Sequence, residues 1–375
     1  MPGLDSAVYQ YSTLTSPAQT AAAQTLLASG KLSSIGGHHL QQLESRVAMM
    51  TGRSGAMSCA SASAAVELVL RALDLGPGDE VIVPEVAWVS LGAAIDHVGA
   101  QVQVAPAGTD LTPRWEDLVP LIGPSTRAVI LAHLRGRPAA DIDRITEELR
   151  RRDILMIEDC AQAWGVTAAG RPAGARGTVA VFSLNHHKLV STGEGGVVVT
   201  DDTALLERLR ALAGDTRIAL TGRWRTSLRL SELHAALALP QLDFLPELTG
   251  HLRRLQHQLS VAASASPLTV QVLPQPGRGE EGNGCLLGMW VHDVQTAREL
   301  SDRFFSLGVP SWHPSEGDLH LASSWPTHAT GSRVDLGSYL DIGVPYLPEE
   351  HHDAFLAVFT DTLSEVAHTR GGAHA

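Results

Sequence analysis

The sequence predicts an α/β fold: a large domain with a mostly parallel sheet covered by helices on both faces, and a smaller α+β domain behind it. Two observations predict this. Strand-like and helix-like segments alternate through the first two-thirds of the chain, and the strand at 154–158 (Ile-Leu-Met-Ile-Glu) is apolar on both faces, as central parallel strands tend to be. After about residue 245 the rhythm changes. This puts the large domain, with an N-terminal arm, at 1–245 and the small domain at 246–375.

Residues 63–75 read as an amphipathic helix, closed by Gly76-Pro77-Gly78. A short buried strand follows at 80–83 and ends at Pro84. A helix-like stretch at 89–98 leads to a strand at Gln101–Ala105; a strand at 127–133 and a helix at 142–152 come next. Strand 154–158 is followed by strands at Val179–Ser183 and Gly196–Thr200. Ligands of such sheets sit beyond the carboxyl ends of the strands, where Asp159 and Ser183 fall. Residues 242–257 look like a long helix linking the domains, and 264–283, rich in Pro, Gly and Ser, read as loop or weak strand. A strand at Leu286–Val291 and helices at 295–307 and 349–366 complete the small domain. From Gly371 onward the chain reads as a frayed tail.

With 375 residues, 44% of them hydrophobic and 18% charged, the chain can bury a large core. A net charge of −12 and the lack of any Lys/Arg-rich run argue against nucleic acid or an anionic membrane as partner. The first residues, Met1-Pro2-Gly3-Leu4-Asp5, lack the basic and apolar regions of a signal peptide, and no apolar stretch approaches the length of a membrane span. Three cysteines (Cys59, Cys160, Cys285) form no framework and fit a reducing cytosol. A cytoplasmic enzyme is expected.

The chemistry is concentrated between residues 158 and 196. Glu158-Asp159-Cys160-Ala161-Gln162 ends a buried strand, Phe182-Ser183 ends another, and Lys188 precedes the glycine-rich Thr192-Gly193-Glu194-Gly195-Gly196. A pyridoxal phosphate enzyme needs these parts. Of 28 basic residues only Lys31 and Lys188 are lysines; a lysine amine forms a Schiff base with a carbonyl, whereas the delocalised guanidinium of arginine does not. A buried Asp159 needs a partner, and a protonated pyridine nitrogen supplies one, although a strand-end aspartate also serves as a helix cap. Gln162 is within reach of a ring hydroxyl, and Ser183 is a candidate phosphate ligand. Ser61-Ala62-Ser63 opens the first clear helix, where free amides favour an anion; a plain N-cap is the alternative. Trp88 is placed to stack on a ring, or simply to fill core. The 17 histidines include the adjacent pairs His38-His39, His186-His187 and His351-His352, whose side chains diverge on regular elements. With no HExxH or CxxC, no metal site is expected.

These residues, together with Gly76-Pro77-Gly78-Asp79-Glu80-Val81-Ile82-Val83-Pro84, Ser231-Glu232-Leu233-His234-Ala235-Ala236 and Gln241-Leu242, resemble the DegT/DnrJ/EryC1/StrS family. These are pyridoxal phosphate-dependent enzymes, mostly aminotransferases acting on nucleotide-linked keto-sugars or cyclitol ketones. The resemblance covers nearly the whole chain. It implies an aspartate-aminotransferase-like fold (fold type I) and a homodimer with active sites at the subunit interface. By position Lys188 matches the Schiff-base lysine, Asp159 the partner of the pyridine nitrogen and Gln162 the residue beside the ring hydroxyl. Ser183 and the Ala62-Ser63 amides match the phosphate site, and Trp88 the stacking position. Pyridoxal 5'-phosphate is the implied cofactor, with pyridoxamine 5'-phosphate formed between two half-reactions: glutamate or glutamine gives up its amino group, and a ketone receives it.

The chain departs from the family in places. Ser61-Ala62-Ser63 replaces Ser-Gly-Thr, Trp164 stands where His or Ser is usual, and Ser227 replaces the Asn that reaches the neighbouring subunit's phosphate. Asp318-Leu319-His320 loosely resembles a family element. The leading expectation is amination of a cyclic ketone in secondary-metabolite, such as antibiotic, or surface-glycan biosynthesis. Dehydration of a deoxysugar is the second, opposed by Lys188, because the sugar dehydratases of the family typically carry His there. A non-catalytic regulatory homologue is the third. The keto acceptor and the choice between glutamate and glutamine stay open at the level of sequence.

Overall fold

Seven strands form the main sheet of the structure, a computed structural model that describes residues 16–214, 226–277, 279–313, 321–325 and 334–371. The chain runs α1 (Pro17–Ser29), α2 (His38–Thr51), β1 (Gly55–Cys59), α3 (Ala62–Ala72), β2 (Glu80–Pro84), α4 (Ser90–Val98), β3 (Gln101–Ala105), α5 (Trp115–Leu118) and β4 (Thr126–Ala132). It continues through α6 (Ile142–Arg151), β5 (Leu155–Asp159), the short pair β6 (Thr167–Ala168) and β7 (Arg171–Pro172), β8 (Val179–Ser183), β9 (Gly196–Thr200), α7 (Thr203–Leu212) and α8 (Glu232–Ser264). The last part holds β10 (Val270–Val272), β11 (Leu286–Val291), α9 (Val294–Ser306), β12 (Ser311–Trp312), α10 (Leu321–Ser324), β13 (Tyr339–Gly343) and α11 (His352–Gly371). The Asp318-Leu319-His320 element, the first fifteen residues and the last four lie outside the described residues.

The main sheet has the order β1-β9-β8-β5-β4-β2-β3, parallel throughout except that β9 opposes both its neighbours. Strand residues alternate between two cores. Val81, Val83, Ile130, Ile157, Val181 and Val198 face one set of helices, with α3, α4 and α7. Ile82, Val129, Leu131 and Met156 face α6, and Phe182, Val197 and Val199 face α2 and α8. The expected helix-covered parallel sheet holds, because β-strand side chains point to opposite faces in turn.

β1 escapes the sequence reading. Gly55-Ala56-Met57-Ser58-Cys59 contains no β-branched or aromatic residue, and its strand state comes from pairing with the valine-rich β9. The linking helix is also longer than 242–257. Pro240 reads as a boundary, yet α8 runs 33 residues through both Pro240 and Pro246. Leu242, Leu245, Leu248, Leu252, Leu255 and Leu259 recur every three or four positions and are all buried; each stabilises the helix by roughly 1.5–3 kcal/mol, enough to outweigh the backbone cost of the prolines. Residue 245, the expected domain boundary, falls inside this helix. The smaller sheet, β10-β11-β13-β12, is antiparallel. Among the described residues no helix is long and apolar enough to cross a membrane.

The Ser231-Glu232 block has a structural use. Ser231 caps α8, while Glu232 turns back to accept hydrogen bonds from the amides of His39 and Leu40 at 3.0 and 2.9 Å, capping α2. A Cβ on Gly37 would strike this carboxylate.

Candidate active site

Lys188 lies in the loop between β8 and β9, at the end of the sheet where ligands collect. The loop is folded tightly: Leu184 N–H donates to Gly195 O, Thr192 N–H to Leu184 O, His186 N–H to Gly193 O and Lys188 N–H to Asn185 O, at 2.9–3.0 Å. Gly193 and Gly195 take φ of 86° and 137°, which a side chain would strain. At Gly196 the demand is space instead, since a Cβ there would lie 2.7 Å from the amide nitrogen of Ala62. Gln241 fastens the loop from α8, accepting from Ser191 N–H at 2.9 Å and donating to Ser191 O at 2.6 Å.

β5 delivers two adjacent carboxylates with different tasks. Glu158 is fully buried and accepts from His133 Nε2 at 3.0 Å and from the amides of Gly174, Arg176 and Gly177 at 2.9, 2.7 and 2.5 Å. Ala139 N–H donates to His133 Nδ1 at 3.0 Å, so the ring proton sits on Nε2 and points at Glu158. Burial opposes the ionised form, but these donors outweigh it and hold the carboxyl at about 2. Cys160 completes a His–Glu–Cys trio with metal-ligand spacing. Its carboxylate and imidazole are spent on these bonds, and burial keeps the thiol protonated. The trio is scaffolding.

Asp159 faces the chemistry. Among the described residues its carboxylate has one hydrogen bond, from Ala161 N–H to Oδ1 at 2.9 Å, so Oδ2 is left to meet a protonated nitrogen. Burial pushes its pKa up, against the pull of the Ala161 amide and Lys188. The same burial pushes the Lys188 amine below the ordinary lysine value, with Asp159 opposing and Arg135 reinforcing the shift. The shift favours the neutral amine, the form that attacks a carbonyl.

A cavity of about 70 Å³ opens beside Lys188, lined by Gln162, Trp164, His187, Lys188, Leu189, Cys285 and Leu286. Gln162 Oε1 accepts from Arg135 N–H at 2.7 Å, which leaves its amide NH₂ for a ligand. Trp164 is held by Nε1–H to Ser183 O at 2.8 Å and packs on Phe182, ring centroids 4.6 Å apart. The unusual side chain is thus a wall of the cavity. His186 and His187 sit in a turn rather than on a regular element, and their rings lie 3.5 Å centroid to centroid instead of diverging.

The remaining predicted residues gather at the end of β8 and around the start of α3. Ser183 Oγ accepts from Asn185 N–H at 3.2 Å and keeps its own proton to donate. Ser183 pairs with Gly196 across β8 and β9, and Gly196 abuts Ala62 at the start of α3. There Ser61 Oγ takes Ala64 N–H, while among the described residues the amides of Ala62 and Ser63 have no acceptor. Ser63 Oγ meets Ser90 Oγ at 2.9 Å, which ties the start of α3 to that of α4; Trp88, two residues before Ser90, is 49% exposed. Ser227 is exposed, and its segment runs beside the start of α3 through Ala60 N–H to Leu228 O at 2.8 Å. Among the described residues no contact links Ser227 to Lys188.

These groups suit pyridoxal phosphate: a half-buried amine of lowered pKa, a carboxylate with an open oxygen, and free helix amides with a hydroxyl and a glycine cradle. Sequence reasoning missed the other side of the cavity. Asn283 is fully buried and donates to Gln162 O and Trp164 O at 3.0 Å each. Cys285, which lines the cavity, and Arg135, Tyr339 and Asp341 are likewise buried. Only the place of Arg135, just past the carboxyl end of β4, was a usable signal.

The sequence profile of the DegT/DnrJ/EryC1/StrS aminotransferase family matches residues 15–279. The GDP-perosamine synthase of Caulobacter vibrioides is 34% identical over 220 residues, which is 56% of this chain and 58% of that relative. The match therefore spans under two-thirds of its length. Among solved structures, DesV of S. venezuelae superposes with a TM-score of 0.82 at 26% identity, covering 93% of this chain and 94% of that one. The aminotransferase TlmJ of Streptoalloteichus hindustanus superposes with a TM-score of 0.82 at 23% identity, covering 94% and 97%; at that identity it speaks for the fold alone.

Proposed function

The chain belongs to the DegT/DnrJ/EryC1/StrS aminotransferase family, a family of pyridoxal phosphate-dependent transferases, and from that premise we propose that it moves an amino group from glutamate or glutamine to a cyclic ketone. The acceptor class is a nucleotide-linked keto-sugar or a cyclitol, in secondary-metabolite or glycan biosynthesis. The similarity to a GDP-perosamine synthase supports the sugar over the cyclitol. We further propose a cytoplasmic homodimer with sites at the subunit interface, in which Ser227 serves the neighbouring subunit.

The observation that carries this reading is the Lys188 amine, set beside Asp159 and depressed by burial. Bound here, pyridoxal phosphate supplies a carbonyl that condenses with amines and a ring that takes up the electron pair of the bond being broken. Asp159 Oδ2 holds a proton on the ring nitrogen. Lys188 Nζ would carry the proton from the donor's α-carbon to the cofactor in the first half-reaction, and from the cofactor to the ketone-derived carbon in the second. The Ala62 and Ser63 amides and Ser183 Oγ would hold its phosphate, Gln162 would orient its ring and Trp88 would cover it. The intact lysine favours amination over dehydration.

The test is to supply a GDP-linked keto-sugar or a cyclitol ketone with glutamate or glutamine and to assay product by mass spectrometry. Amino-sugar formation with loss of donor nitrogen is expected. Amination of neither ketone with either donor would contradict the reading.

A further inference from the structure

One side chain of the Lys188 cavity keeps its full hydrogen-bonding capacity. His187 lines the cavity together with Gln162, Trp164, Lys188 and Cys285. The other polar groups are engaged or reserved. Gln162 Oε1 accepts from Arg135 N–H at 2.7 Å, Trp164 Nε1–H donates to Ser183 O at 2.8 Å, and burial pushes the Cys285 thiol up to about 12. Lys188 is the reacting amine. Among the described residues neither ring nitrogen of His187 has a hydrogen-bond partner, and the residue is exposed where Lys188 is half-buried.

The loop sets this ring in place. On either side of His187, His186 N–H donates to Gly193 O at 3.0 Å and Lys188 N–H to Asn185 O at 2.9 Å, and His187 N–H itself reaches Asn185 Oδ1 at 3.4 Å. The His186 ring backs it at 3.5 Å between centroids. Partial burial, then His186 and Lys188, push the His187 imidazole below the ordinary histidine value. The neutral ring is favoured, with one nitrogen donating and the other accepting.

Resting on the aminotransferase reading above, we propose that His187 is a specificity residue for the keto acceptor, its imidazole hydrogen-bonding a hydroxyl on the ring of the sugar or cyclitol. The chemistry selects this ligand. A hydroxyl both donates and accepts, as a neutral imidazole does, whereas the carboxylates of an amino donor only accept and are held better by a cation. A sugar or cyclitol ketone carries hydroxyls on its ring, and His187 adjoins the amine that serves the carbonyl. The side chains of Trp164, Leu189 and Leu286 leave no polar group free for such a hydroxyl. Because His187 is the exposed neighbour of Lys188, a ligand arriving from solvent meets the imidazole on its way to the amine.

The test measures equilibrium binding to the pyridoxal phosphate-loaded protein by calorimetry, with cofactor retention read from visible absorbance. The probes are GDP-mannose, dTDP-glucose and myo-inositol, which carry ring hydroxyls but no ketone to react. GDP, dTDP and glutarate, which is glutamate without its amine, are the controls. His187→Phe keeps a ring beside His186 and removes both hydrogen-bonding nitrogens. It should weaken binding of whichever hydroxylated probe the wild type takes by roughly threefold to tenfold, the worth of one neutral hydrogen bond, with the controls unmoved. His187→Gln, which again offers a donor and an acceptor, should recover most of the loss. A loss below threefold in His187→Phe overturns the proposal, as does an equal loss for the controls or no recovery in His187→Gln. A cofactor-loaded wild type that binds none of the three hydroxylated probes overturns the proposed acceptor class and this proposal with it. A wild type that takes up no cofactor overturns the aminotransferase reading itself.

Discussion

Where α3 begins, the groups facing the cofactor site are backbone amides and small hydroxyls, at Ala62, Ser63 and Ser183; across the cavity, at β13 and the turn after β4, they are buried side chains, Arg135, Asn283, Tyr339 and Asp341. The two sides respond to sequence change differently. Every residue except proline carries a backbone N–H, so Ala62 in place of a family glycine leaves the anion site intact as long as the helix starts there. A side-chain wall offers no such tolerance, because each substitution alters shape, charge or an unpaired partner. On the function proposed above, the cofactor phosphate would sit on the tolerant side. Beneath both lies Glu158, which pins the 174–177 turn and His133 to the end of β5.

Three substitutions test this contrast. The largest expected effect is on the shared base. The Glu158 carboxyl sits at about 2 when folded against an ordinary 4.5, so its stabilisation is complete above pH 4.5 and is lost as pH falls toward 2. The shift corresponds to about 3 kcal/mol. Glu158→Gln should lose that amount at pH 7 in denaturant unfolding, and the acid-induced decline between pH 4.5 and 2 should flatten; equal stability at pH 7 would remove Glu158 from the account. On the side-chain wall, Asn283→Ala removes two donated hydrogen bonds and one accepted from Cys285 N–H. A loss of about 2 kcal/mol is expected, accompanied by weaker cofactor binding as Gln162 loses its support. On the backbone side, Ser63→Ala should leave stability almost unchanged and raise the cofactor dissociation constant by roughly tenfold to a hundredfold, the worth of one hydrogen bond to a charged group. An effect there larger than that of Asn283→Ala would invert the comparison.

The same contrast explains what could be read from the sequence. Asp159, Gln162, Ser183, Lys188 and the glycine turn are neighbours in the chain, and the strand-turn-strand pattern announces them. The family, the cofactor and the fold type I architecture follow from that cluster, and the family match and the superpositions bear them out. Arg135 is separated from Asn283 and Asp341 by well over a hundred residues and meets them only when the small sheet packs over the end of the large one. No local spacing encodes that meeting. β1 was hidden for a related reason, since its strand state is imposed by β9. The role of Glu232 was hidden likewise, because it caps a helix almost two hundred residues away.

The central claim is that Lys188, held half-buried against Asp159, is the residue to which the cofactor attaches. Because the chain has only two lysines, one experiment addresses it directly: load the protein with pyridoxal phosphate, reduce with borohydride, digest and map the modified peptide. The account predicts one cofactor mass on the peptide containing Lys188 and none on that containing Lys31, with the modification absent from Lys188→Ala. Labelling at Lys31, or no covalent label in a protein that binds the cofactor, would contradict it.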